Sequence, residues 1–164
     1  MNRRMTLAAC PVAAALLCSP CAAQTSVEWA APERVLAVAD TFAFRVNGQQ
    51  FGTQVVSVVR SGDGLRFEET STLPMGSQTS VVFMTSELGM RTVEQRGAFN
   101  GQEMRIDVEY GAERASGSAL TPTSGNQAIA IDAVLPAGVV DDNVMVALLP
   151  AIDWRSDSDV LLPV

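Results

Sequence analysis

The strongest constraint on how this chain folds is a two-residue alternation of apolar and polar side chains, cut about every ten residues by turn-forming pairs. Residues two apart on a strand share a face, so alternation marks a sheet with one dry side and one wet side. Thr41-Phe42-Ala43-Phe44-Arg45-Val46 puts Phe42, Phe44 and Val46 on one face, and Asn47-Gly48 follows. Asn-Gly is a strong hairpin signal because both residues tolerate the positive φ of a type I′ turn. Residues 51–60 form the return strand, with Val55, Val56, Val58 and Val59 supplying β-branched density. Ser61-Gly62-Asp63-Gly64 turns the chain into 65–72, and Pro74-Met75-Gly76 turns it into the apolar strand 79–85. A more polar strand, 90–97, leads to a second Asn-Gly pair, Asn100-Gly101. The cleanest strand is 104–110: Met104, Ile106, Val108 and Tyr110 share one face, and Arg105, Asp107 and Glu109 the other. Segments 114–120 and 127–135 complete the series.

Strands joined in order by tight turns predict a mainly β fold, an antiparallel meander. Its apolar face needs a cover. The one helical pattern follows Pro136-Ala137-Gly138: Asp141 as N-cap, Asp142 in the first turn, then Val144, Leu148 and Leu149 at helical spacing, with Pro150 as the stop. Three turns or fewer are not stable alone, so this helix must dock on the sheet. The expectation is a sheet curved into a half-barrel or open barrel, with one short helix near the C-terminus.

Upstream of the alternation the texture differs. Arg3-Arg4, an apolar run over residues 5–17, and small residues around Cys21-Ala22-Ala23 have the plan of a secretory leader. The run is shorter than the roughly 20 apolar residues a membrane span needs. Cleavage is expected after Ala23. That leaves 1–23 as signal, 24–40 as a lead-in and 41–164 as one β domain in the periplasm or outside the cell. Leu7-Ala8-Ala9-Cys10 looks like a lipoprotein box, but only residues 5–9 lie between Arg4 and Cys10, too few for an apolar core of about 7 residues, so lipidation is the weaker reading. The end, Val160-Leu161-Leu162-Pro163-Val164, reads as the opening of a further strand, so truncation of the domain at that end is also expected.

The leader would carry off all three cysteines, Cys10, Cys18 and Cys21. The exported domain then rests on a hydrophobic core rather than on disulfides. All 11 basic residues are arginine and the chain has no histidine. Without Arg3 and Arg4 the formal charge moves from −7 to −9. Such a balance speaks against nucleic acid and against charge-driven binding to anionic membranes, and fits a soluble surface.

The same absences exclude familiar chemistries. Without His, Lys and mature Cys, the Ser-His-Asp, Cys-His and Ser-Lys arrangements, Schiff bases and the common zinc sites cannot be built. Gly62-Asp63-Gly64 is a turn rather than a phosphate loop, since no lysine follows. Only carboxylates remain. Glu68 and Glu69 are strand neighbours, so they point to opposite faces. Asp141-Asp142-Asn143 is best read as a helix cap. Asp153, Asp157 and Asp159 lack the glycine and terminal glutamate of a calcium loop. No catalytic residue, metal ligand or cofactor is therefore expected, and no particular carboxylate pair stands out as that of a hydrolase.

Phe42, Phe44, Phe51, Phe67, Phe83 and Tyr110 all fall at strand positions, where the core accounts for them; the alternative is that some line a ligand groove. Met75, Met84, Met90 and Met104 suit either use, and Trp29 and Trp154 flank the domain as covers for an open sheet edge.

Two stretches carry a resemblance: residues 101–110, and Leu135-Pro136-Ala137-Gly138 followed by Asp141-Asp142-Asn143 and Ala147-Leu148-Leu149-Pro150-Ala151. Together they resemble a family of bacterial periplasmic domains of uncharacterised role. Its half-barrel is similar to that of the outer-membrane lipoprotein carrier. The resemblance implies a concave apolar face for a lipid or acyl chain, with Phe42, Phe44, Met104, Ile106, Val108 and Tyr110 as the expected ligand-binding residues. The leading expectation is a non-enzymatic binding module with an apolar ligand. The alternatives are an envelope interaction module with a protein partner and, last, a carboxylate hydrolase.

Overall fold

The computed structural model describes residues 31–125, 127–136 and 138–152. Residues 1–23, read above as a leader with its cleavage site, Trp29, Trp154, the aspartates 153, 157 and 159, and the terminal 160–164 lie outside the described residues.

Eight strands form one antiparallel sheet in sequence order: β1 (Val38–Val46), β2 (Gln49–Ser61), β3 (Gly64–Leu73), β4 (Gly76–Met84), β5 (Met90–Phe99), β6 (Gln102–Tyr110), β7 (Arg114–Leu120) and β8 (Ile129–Val134). β1 starts at Val38, within the stretch read as a lead-in. The two edge strands are not paired with each other, so the sheet is open. Both Asn-Gly pairs do what their chemistry predicts: φ is 51° and 81° at Asn47-Gly48, and 50° and 77° at Asn100-Gly101. The β4–β5 connection had no such signature. It folds inward on bonds from the Thr85 N–H to the Gly89 carbonyl and from the Gly89 N–H to Thr85 Oγ1. Leu88 is thereby held at φ 64° and fully buried, its apolar contacts offsetting the strained backbone.

The helical run is 142–151: a 3-10 turn (Asp142–Val144), the four-residue α1 (Met145–Leu148) and a second 3-10 turn (Leu149–Ala151). Asp141 caps it by accepting the Asn143 N–H at 3.0 Å. The run lies over one end of the sheet's inner face. Val140, Val144, Leu148 and Ala151 join Val58, Leu65, Phe67, Val82, Met84, Met90, Val93 and Ala115 in a single core. Another 3-10 turn, Pro32–Arg34, sits beside it. The Ala31 N–H donates to the Ala151 carbonyl at 3.0 Å, and Arg60 donates to the Pro32 and Val35 carbonyls.

The sheet must curl to make these contacts. From β2 to β7, strands at about 4.8 Å spacing span about 24 Å, more than twice the width of a helix. Yet residues from β2 through β7 enter one core with this run. Glycines on the inner face allow the curl. A Cβ on Gly97 would lie 2.6 Å from the Ser77 carbonyl oxygen, and one on Gly117 would lie 1.9 Å from that of Asp107. Backbone of the next strand occupies the space a side chain would need.

Candidate functional site: the uncovered half of the inner face

The strand register lines side chains up in rows across the inner face. The first row is Val38, Val58, Phe67, Val82, Val93, Val108, Gly117 and Ile131, apolar from edge to edge. Its centre is buried beneath the helical run. The next row outward is Asp40, Val56, Glu69, Ser80, Gln95, Ile106, Ala119 and Ile129. The third is Phe42, Gln54, Ser71, Gln78, Gly97 and Met104. Phe44 with Gly52, and Leu73 with Gly76, Phe99 and Gln102, make the last.

Cover thins along this series. Ser80 is 1% exposed, at the rim of the helical run, and donates to Asn143 Oδ1 at 3.3 Å. Glu69, Gln95, Ser71, Gln78, Ile106 and Met104 are half-buried. Phe42 and Phe44 are 45% and 39% exposed on the edge strand. Nothing among the described residues lies over them.

The six residues expected to bind a ligand therefore share the inner face but divide in two. Phe42, Phe44 and Met104 lie in the uncovered half, and half-buried Ile106 packs against the core. Val108 belongs to the core. Tyr110 packs against that core, and its hydroxyl donates to Asp141 Oδ2 at 3.4 Å. Burial pushes the Tyr110 phenol and the Asp141 carboxyl above their ordinary values, while the Asn143 bonds pull Asp141 the other way. The reading of the strand aromatics as core is corrected here. Phe67 is buried, whereas Phe42, Phe44, Phe51 and Phe83 are exposed. The helical run is too short to reach across all the rows, and Phe83 alternates to the outer face.

The polar floor was missed. Gln54, Glu69, Ser71, Gln78, Ser80 and Gln95 sit at inner-face positions of β2 to β5. Both faces of these strands carry polar residues there, so alternation could not tell inside from outside. Some floor groups already have partners: Ser71 Oγ donates to Glu69 Oε1 at 3.1 Å, and Gln78 Nε2 to Ser80 Oγ at 3.1 Å. Glu68 points outward and pairs with Arg66, as the opposite-face argument required.

The outer face carries most of the charge. Arg96 and Arg105 both pair with Asp107, whose carboxyl the Arg105 and Arg96 bonds hold below the usual range. Arg114 pairs with Asp132, and Arg66 lies 5.9 Å from the centroid of the Phe83 ring. A shallow cavity of about 410 Å³ opens at the β2–β3 end, lined by Phe51, Gly52, Leu73 and Pro74 among others. No described helix is long and apolar enough to cross a membrane. No family model, curated protein or solved structure matches this chain.

Proposed function

We propose that this chain is an exported, non-enzymatic binding module that holds the apolar part of a small amphiphile on the uncovered half of its inner face. One observation carries the reading. The helical run seals one end of the curled sheet and stops, leaving Phe42 and Phe44 exposed and Met104 half-buried on the same inner surface, beyond the core that Ile106 packs against. A run that served only to complete a core would be expected to reach those aromatics, because exposed phenylalanines on a curved face gain nothing from water. The half-barrel resemblance and the secretory leader support the same reading, with the periplasm or the exterior as its place of action.

Native mass spectrometry of the purified chain, with and without added dodecyl maltoside, tests it. A retained adduct that is lost in Phe42→Asp and Phe44→Asp is the expected result. These positions are solvent-exposed, so both variants should fold, which circular dichroism checks. A bare chain that takes up no amphiphile would overturn the proposal.

A further inference from the structure

We infer that the ligand's head group is cationic, and that the uncovered face rejects carboxylate-headed amphiphiles. The inference rests on the binding reading above and adds the chemical class of the ligand. It comes from how charge is divided between the two faces.

Of the strand arginines, Arg45, Arg66, Arg91, Arg96, Arg105 and Arg114 alternate or bulge to the outer face. Arg60 alone faces inward, and its guanidinium is held by the carbonyls of Pro32 and Val35 at the covered end. The inner face keeps two strand carboxylates, Asp40 and Glu69, in one row and two strands apart, about 10 Å. Among the described residues neither forms an ion pair, and the Glu69 carboxylate accepts from the Ser71 hydroxyl.

Their place relative to the apolar residues matters. Asp40 precedes Phe42 and Phe44 on the same side of β1, so carboxylate and aromatics form a line of about 13 Å. An ammonium seated between Asp40 and Glu69 would lay its tail outward over both rings. A carboxylate head seated there would meet two like charges with no strand arginine in that row to receive it; Asp40 is exposed and Glu69 half-buried, so salt screens the repulsion.

The test is isothermal titration calorimetry of the purified chain with three dodecyl amphiphiles below their micelle concentrations: dodecylammonium, dodecyl maltoside and dodecanoate. At low salt dodecylammonium should bind about tenfold tighter than dodecanoate, and added salt should narrow the gap. Glu69→Gln and Asp40→Asn should each reduce the preference and together abolish it, while dodecyl maltoside binds as before. Circular dichroism and thermal midpoints confirm that the variants are folded. Dodecanoate binding as tightly as dodecylammonium, or a preference that survives both substitutions, overturns the inference and leaves the binding reading intact. Failure of all three ligands overturns both.

Discussion

Leu148→Ala tests whether the helical run is held by the contacts described. Leu148 is 1% exposed and sits in the core with Val140 and Val144. Truncation removes the equivalent of three buried methylenes, about 2.4 kcal/mol of transfer free energy. The cavity left behind adds to this, for a total of about 3 kcal/mol. For a domain of this size that lowers the melting temperature by about 12 °C. Val146→Ala, two residues away on a side chain 57% exposed, should cost less than about 0.5 kcal/mol. The contrast matters more than either value, because both changes leave helix propensity equal or better. Urea titrations followed by circular dichroism, with calorimetric melts, give both quantities. A cost below about 1 kcal/mol for Leu148→Ala, or an equal cost for Val146→Ala, would refute the docking described, since the first side chain would then not be filling the core.

Gly97→Val should destabilise by more than about 2 kcal/mol, because its Cβ would sit 2.6 Å from the Ser77 carbonyl oxygen; a chemical melt measures it. Gly48→Ala meets open space but keeps φ at 81°, so the expected loss is only about 1 kcal/mol, read from the urea midpoint. Asp141 gives a pH signature. Burial raises its folded value above the ordinary 3.8, so the stability it contributes is present below that pH and is lost as pH rises through the folded value. Asp141→Asn, which keeps an acceptor for the cap, should flatten that part of the stability-against-pH curve; urea midpoints across the acid range show whether it does.

Much of the fold was legible because this meander is local. All eight strands and the helical run stand where alternation, the Asn-Gly pairs and the Asp141 cap predicted, to within a few residues at the ends. Legibility failed where the two faces carry similar chemistry. In β4, Val81 and Phe83 look outward and Val82 and Met84 inward, and nothing in Ser80-Val81-Val82-Phe83-Met84 marks which set is buried. Leu88 was hidden for another reason: its burial follows from a loop folded by two bonds to Thr85 and Gly89 rather than from any periodic pattern. The uncovered half of the inner face was the least legible part. It is set by how far the helical run reaches, and that depends on the curl of the sheet. Gly97 and Gly117 permit the curl, yet in sequence they look like ordinary strand interruptions.

The bond between Ala31 and Ala151 joins backbone 120 residues apart, while every β ladder joins neighbours in the chain. Under tension applied at these two points, that bond and the docked helical run lie across the pull and bear the load first. Once they give way, the hairpins peel from the free edges one after another, since each ladder is then unzipped rather than sheared. The domain should therefore show one early force peak followed by a low, stepped extension, and in that first step the floor now sealed by the helical run is laid open while the sheet remains whole.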